Sequence, residues 1–275
     1  MSLAIASLNS GSNGNCYYIG NPNEAILVDA GLSCRETEKR MLRLGLSILK
    51  VKAIFISHEH SDHIRGLCLL AKKYQLPVYI TPGTLVSSRL LLESTLIRTF
   101  KPFEEIYIGK LCITAFPKLH DAFDPHSFLI SCNDVRVGVF TDIGGVCKEL
   151  TYNFSLCHAA FLEANYDDHL LDTGRYPYYL KNRIRGGKGH LSNVQALDLF
   201  KAHKPSYMTH LLLSHLSKDN NCPDLVHNLF SENAIHTKII VASRYRESEV
   251  YYISKNDQTV PAKRKFEPAI QTSLF

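Results

Sequence analysis

Ser57-His58-Glu59-His60-Ser61-Asp62-His63 packs three imidazoles and an aspartate carboxylate into six consecutive positions of a 275-residue chain. Just upstream, residues 51–56 form an apolar run broken only by Lys52, which reads as a buried strand. Downstream, Ile64, Leu67, Leu70, Ala71 and Tyr74 recur at helical spacing. A strand, a tight polar loop and a helix thus hold these side chains at the end of a sheet. His58 and His60, two positions apart, face one metal ion from such a loop, and Asp62 and His63 face a second position beside it. Imidazole and carboxylate suit zinc, manganese or iron(II), and without a thiolate nothing selects strongly among them.

Strands are expected at 3–6, 16–19 and 25–28, the last ending at Asp29, with a polar loop over 9–15 and a turn at Asn21-Pro22-Asn23. A helix over 35–44 follows, with Ser33 as its N-cap. Beyond the histidine stretch the chain offers a short strand at 77–80 and a helix at 84–92. Two hairpins come next, 104–108 with 111–116 and 127–131 with 136–140, the second ending at Thr141-Asp142. A strand at 159–162 ends at Glu163, and residues 167–189 are polar, aromatic and basic. A helix at 192–202 and a strand at 207–213 lead to Ser214-His215. Strands dominate first and then alternate with helices, with no repeat or linker. This fits one compact domain, 1–255, with mixed sheets and outer helices. A basic tail, 256–275, is expected to be mobile.

A hydrophobic content of 45% against 21% charged residues suits a globular chain with a sizeable core. No apolar run approaches the roughly twenty residues of a membrane span. The first residues lack a basic start and a sustained apolar stretch, so no secretory signal is expected. None of the eight cysteines sits in a C-x-x-C pair, so they are expected to be reduced thiols of a cytoplasmic protein. A net charge of +5 agrees with a phosphate-bearing substrate without pointing to one.

The H-x-H-x-D-H stretch, with Asp29 closing an earlier strand, resembles the metallo-β-lactamase superfamily of dinuclear hydrolases. The resemblance runs from the first strands to about His215. It implies an α/β (α+β) fold, a four-layer αβ/βα sandwich of two mixed β-sheets with helices outside. It also implies two divalent metal ions between the sheet edges, zinc or manganese foremost and iron admitted. By the same resemblance Asp29 braces the histidine loop without ligating, and His120 joins His58 and His60 on one metal. Asp62, His63 and His215 then hold the other, with Asp142 between them. His126, six residues beyond His120, is the rival for that place and otherwise a loop histidine or a substrate contact. His120 is preferred because it lies nearer the strand end. Two ions about 3.5–4 Å apart would lower the pKa of a bridging water and clamp the attacked group.

Glu163-Ala164-Asn165 followed by Gly189-His190-Leu191-Ser192 resembles the glutamate and histidine pair of ribonuclease Z-like phosphodiesterases. There the histidine serves the scissile phosphate or the leaving group. A glutamate bonded to an imidazole fixes its tautomer and favours its charged form. His190 would then steady developing charge and give a proton to the leaving oxygen. With Asp62, these are the expected catalytic residues. The 48 positions from Asp142 to His190 are too few for the inserted domain of β-CASP nucleases. No glycine-rich arm like that of many ribonuclease Z enzymes is present, and His63 as a ligand is untypical of zinc β-lactamases. Longer stretches are similar to the bacterial YycJ/WalJ group: Ser10-Gly11-Ser12-Asn13-Gly14-Asn15-Cys16-Tyr17, Gly189-His190-Leu191-Ser192-Asn193, and Ser214-His215-Leu216-Ser217-Lys218-Asp219-Asn220-Asn221. Membership in that group implies a cytoplasmic enzyme with 5′-to-3′ exonuclease activity on DNA. Tyr166, where a histidine is expected, and His126 depart from its pattern.

Ahead of His190, Arg175, Lys181, Arg183, Arg185 and Lys188 interleave with Tyr176, Tyr178 and Tyr179. Phosphate contacts and base stacking would suit a single strand there, and a solvated loop with packed tyrosines explains the segment equally well. The candidate substrate contacts are Arg183, Arg185, Lys188 and His126. Residues 13–15 either offer backbone N–H groups to a phosphate or form a plain turn. The expected function is a dinuclear metal-dependent phosphodiesterase, by resemblance a DNA exonuclease in which a metal-bridging hydroxide attacks phosphorus. A phosphodiesterase for small or cyclic phosphates comes second and a thioester or lactone hydrolase third. An inactive metal-stabilised binding protein is disfavoured because no ligand position is missing.

Overall fold

The computed structural model describes residues 2–255, so the expected basic tail lies outside the described residues. The chain opens with β1 (Leu3–Asn9), β2 (Cys16–Gly20) and β3 (Ala25–Val28), then α1 (Cys34–Arg43) and β4 (Val51–Phe55). Next come α2 (Ser61–Ile64), α3 (Leu67–Tyr74), β5 (Val78–Tyr79), α4 (Pro82–Ser88) and β6 (Ile97–Arg98). The second half runs β7 (Glu105–Ile108), β8 (Leu111–Pro117), β9 (His126–Cys132), β10 (Val135–Phe140), α5 (Lys148–Phe154) and β11 (Ala159–Glu163). It continues with α6 (Asp168–Thr173), α7 (Tyr178–Arg185), α8 (Asn193–His203), β12 (His210–Ser214), α9 (Pro223–Ser231) and β13 (Lys238–Val241). The last strand, β14 (Tyr251–Ile253), returns to pair with β1.

Two sheets result, ordered β14-β1-β2-β3-β4-β5-β6 and β13-β12-β11-β10-β9-β8-β7. Both are mixed: β3 pairs parallel with β4 and β10 with β11, while β1 and β2, like β8 and β9, run antiparallel. Alternation within the strands sorts their side chains into layers. Val28 and Phe55 face inward and meet Ile113, Phe128, Val137 and Phe161 of the other sheet. Leu27 and Ile54 face outward onto Met41 of α1 and Leu67 and Leu70 of α3. Phe140, Leu162 and Leu213 face out the other way onto Phe154, Phe200 and Phe230 of α5, α8 and α9. The architecture is therefore the four-layer αβ/βα sandwich. Because these strands are covered on both faces, they read as continuous apolar runs.

Ser33 caps α1 by accepting the Glu36 amide at 3.2 Å, and Ser192 with Gln195 forms a capping box at the start of α8. The helix expected at 84–92 instead begins at Pro82, because Thr81 accepts the Thr84 amide and Pro82 suits the first turn. It stops at Arg89, which is left-handed with φ 53°. The polar segment 167–189 holds two helices, α6 and α7, that the sequence did not announce. Among the described residues no helix is long and apolar enough to cross a membrane.

Candidate metal centre

Strand ends supply most of the site. Asp29 follows β3, Asp142 lies two residues past β10, and His215 follows β12, with φ values of 62°, 55° and 57°. Non-glycine residues seldom take this left-handed conformation, and aspartate and histidine tolerate it better than most. The turn aims each side chain across the end of its sheet.

His58, His60 and His120 form the first group of converging donors. His58 Nε2 and His120 Nε2 lie 3.1 and 3.4 Å from His60 Nδ1. Burial pushes the His58 imidazole well below its ordinary pKa, with the charges of His63 and Lys118 adding to it. Burial likewise takes His120 down to about 4. Both rings are therefore neutral near pH 7, the form a metal ion takes up. Their other nitrogens are engaged: His58 Nδ1 with Ser57 Oγ at 2.9 Å, and His120 Nδ1 with the Gly189 carbonyl at 3.1 Å.

Asp62, His63 and His215 form the second group. Asp62 Oδ2 stands 3.5 Å from His63 Nε2 and 3.6 Å from His215 Nε2. Asp142 reaches toward both groups, with Oδ2 3.2 Å from His63 Nε2 and Oδ1 3.8 Å from His120 Nε2. Burial opposes charge on His63, yet Asp142, Asp29 and Asp62 outweigh it and push its pKa up to about 10. His215 is raised in the same way, chiefly by Asp142, Asp62 and Glu163 against its burial. This half of the centre therefore calls for positive charge. Asp142 Oδ2 and His215 Nε2 are buried and make no hydrogen bond among the described residues. Orphaned donors for a cation, beside converging imidazoles, are what a pair of divalent ions would satisfy, so the residues fit such ions.

A second ring of residues fixes the first. Asp29 Oδ1 accepts the Ser57 amide at 2.8 Å, while Oδ2 accepts Ser57 Oγ at 2.9 Å and His63 Nδ1 at 2.7 Å. Asn15 Nδ2 reaches Asp62 Oδ2 at 3.1 Å and His63 Nε2 at 3.0 Å. From Asn15 the network passes through the Tyr17 hydroxyl to Ser10 Oγ, which accepts the His215 amide at 2.7 Å. Asn165 Nδ2 donates to the His215 carbonyl at 2.7 Å. The sequence singled out none of Asn15, Tyr17, Ser10 or Asn165. The loop at 13–15, taken there as a phosphate cradle or a turn, does turn, with the Gly14 amide on the Gly11 carbonyl at 2.8 Å, and it also carries this brace. Lys118 was missed too; it is buried and donates to the Thr141 carbonyl at 2.7 Å, next to Asp142.

Glu163 is fully buried and serves two imidazoles at once. Its Oε1 stands 2.9 Å from His190 Nδ1 and 2.9 Å from His215 Nδ1, and Oε2 accepts the Ile143 and Leu191 amides at 2.7 and 3.2 Å. Burial works against its ionisation, but the charge and hydrogen bonds of His190 and the bond from His215 bring its pKa down to about 2. His190 is 22% exposed where its neighbours are sealed in, and its ring lies 5.4 Å from that of His120.

Of the basic segment, Arg183 pairs with Asp121 at 2.6 Å, beside His120, and Arg185 pairs with Asp172. Lys188, Tyr178 and Tyr179 are exposed, whereas Tyr176 is half-buried with its hydroxyl donating to Asp219 at 3.0 Å. His126 is 1% exposed, set edge-on to Phe100, and belongs to neither donor group. Its place outside both groups, while His120 stands with His58 and His60, favours His120 over it as the ligand. Across the mouth, Phe123 is 71% exposed, with its amide held by Glu59 Oε1 at 2.8 Å.

Comparison with known families matches residues 10–154 to the metallo-beta-lactamase superfamily. Among curated proteins, the chain is 32% identical to exodeoxyribonuclease YycJ of Bacillus anthracis over 97% of its length and 100% of that relative's. It is also 32% identical to exodeoxyribonuclease WalJ of Streptococcus pneumoniae serotype 2, over 80% of this chain and 84% of the relative. Among solved structures, the metallo-beta-lactamase fold protein YhfI from Bacillus subtilis superposes with a TM-score of 0.70 at 18% identity, covering 91% of this chain and 99% of that one.

Proposed function

The chain belongs to the metallo-beta-lactamase superfamily, and from that membership we propose that it is a metal-dependent phosphodiesterase that degrades DNA. The proposal extends to a dinuclear centre, with His58, His60 and His120 on one ion, Asp62, His63 and His215 on the other, and Asp142 shared. The observation that carries it is the convergence of all seven donors together with Glu163 bonded to a partly exposed His190. The full-length likeness to proteins named exodeoxyribonucleases supports DNA as the substrate. We read 1–255 as one catalytic domain, and its unpaired cysteines agree with a reducing, cytoplasmic setting.

Divalent ions bound there supply Lewis acidity and a water acidic enough to ionise near neutral pH. The chain's own groups do the rest. Glu163 holds His190 through Nδ1, which fixes the ring and its tautomer, and the imidazolium form of His190 gives its Nε2 proton to the departing oxygen. Arg183, anchored to Asp121, and the free-standing Lys188 lie on the segment that leads to His190 and would hold the strand through its phosphates. Phe123, exposed and with its backbone amide held by Glu59, would offer a face to a base.

The test uses the metal-loaded enzyme on DNA and on bis-p-nitrophenyl phosphate, whose leaving group needs no proton. His190→Ala should lower turnover of DNA by about 10²–10⁴-fold and that of the activated diester far less. Equal losses on both substrates would show that His190 is not the proton donor. Faster turnover of cyclic nucleotides than of DNA would replace DNA with a small phosphodiester.

A further inference from the structure

Beside the loop that follows His215 lies a cavity of about 740 Å³. It forms where residues 242–250 cross from β13 in one sheet to β14 in the other. Ser10 and Leu216 line it, and Ser10 Oγ accepts the His215 amide at 2.7 Å. One loop therefore walls both the cavity and the centre. The volume suits a small molecule with a ring and a charged group.

Its lining is mixed in a particular way. Leu44, Leu216, Ile240 and Val241 give it apolar wall, and Tyr245 and Tyr251 give it rings. Tyr245 is 71% exposed, so one aromatic face is open to stacking. The cations are Lys218, Arg244 and Arg246, against the carboxylates Glu247 and Glu249. Glu247 is already held by Arg43 through two bonds of 2.6 and 2.8 Å, which leaves positive charge in excess. Arg244 is anchored by Nη2 to Ser12 Oγ at 2.9 Å, and its carbonyl accepts from Asn13 at 2.7 Å. Its Nη1 is buried and has no hydrogen-bond partner among the described residues. With no open surface on that nitrogen, Arg244 acts on an anion in the cavity through its charge, and the exposed Lys218 and Arg246 make the direct contacts.

We propose that this cavity binds one nucleotide, its phosphate on Lys218 and Arg246 with the charge of Arg244 behind them, and its base against Tyr245. A phosphorylated strand end and a free nucleotide share that chemistry. The phosphodiesterase proposal enters only as the source of the nucleotide, since the cavity's charge and rings stand without it.

Calorimetric titration of the full-length, metal-loaded chain with deoxyadenosine 5′-monophosphate tests this, with deoxyadenosine and inorganic phosphate as comparisons. The nucleotide should bind at least about tenfold more tightly than either fragment, and Tyr245→Ala and Arg246→Ala should each weaken it about tenfold. Arg244 stays intact in both variants because it also braces the 10–15 loop. A nucleotide held only at the metal ions would bind both variants as tightly as the parent, and that result overturns the proposal. So does a nucleotide no tighter than phosphate. Displacement by a 5′- or 3′-phosphorylated oligonucleotide assigns the cavity to a strand end, and no displacement by either assigns it to free nucleotide, its chemistry standing in both. Nucleotide binding that depends on Arg246 and Tyr245, in a chain that cleaves no phosphodiester, would remove the nuclease proposal and keep the cavity.

Discussion

Asp29, Asp142 and His215 each keep a side chain where glycine would be easier, at φ values between 55° and 62°. The left-handed backbone costs about 1–2 kcal/mol at such a residue, so something must offset it. For Asp29 the offset is visible: three hydrogen bonds of 2.7 to 2.9 Å to Ser57 and His63 from one buried carboxylate. Asp29→Ala should therefore weaken metal binding by about 10–100-fold, as loss of an outer partner to a ligating histidine does. Competition with a chelating dye measures it, and unchanged affinity would mean that Asp29 does not brace His63. The clustered donors at 58–63 were legible because their chemistry is local. Asn15 and Ser10 were not, since their partners Asp62 and His215 lie 47 and 205 positions away. Asparagine and serine in a polar loop look the same whether they brace a ligand or face water. His126 was left with several readings for a related reason, because a histidine before an expected strand gives no sign that its ring packs on Phe100.

At the level of elements, α2, which carries Asp62, closes against the loop after β3 with almost no clearance. A β-carbon on Gly31 would stand 1.6 Å from the Asp62 carbonyl oxygen, a contact that backbone cannot relieve without moving the ligand. Gly31→Ala should destabilise the fold by roughly 3 kcal/mol or more and lower metal content with it. Gly187→Ala, with nothing within 4 Å of the added carbon, serves as the comparison in thermal melts. Equal melting of the two variants would show that the loop has room to shift. Most strands of both sheets could be read from their apolar runs and turn residues, but β6, β13 and β14, with two to four residues each, were not expected, nor were α5 and α9. The helices α6 and α7 could not be read either, because α6 buries only Leu171 and α7 buries no residue, so neither shows an apolar stripe. They are held instead by polar ties, such as Arg183 to Asp121 and the His190 amide to the Ile184 carbonyl at 2.8 Å. Those ties place the basic segment beside the centre.

For the whole molecule, the donors and the carboxylates that position them divide between the two sheets. Asp29 and the 58–63 loop extend from the first, and His120, Asp142, Glu163 and His215 from the second. The halves meet through packing such as Tyr17 on Phe161, with ring centroids 4.9 Å apart, and Phe55 edge-on to Phe128 at 5.8 Å. A centre shared in this way couples metal binding to the closure of the sandwich. The sequence could suggest such a division only through resemblance, since no local pattern joins His60 to His120 or Asp62 to His215. The most direct experiment takes the full chain loaded with manganese or zinc, counts its bound ions by elemental analysis, and follows end-labelled single- and double-stranded DNA beside His60→Ala and Asp142→Ala. About two ions per chain, stepwise loss of nucleotides from the DNA, and inactive variants are expected. A chain that holds two ions and leaves both DNAs intact would refute the assignment as a DNA-degrading phosphodiesterase.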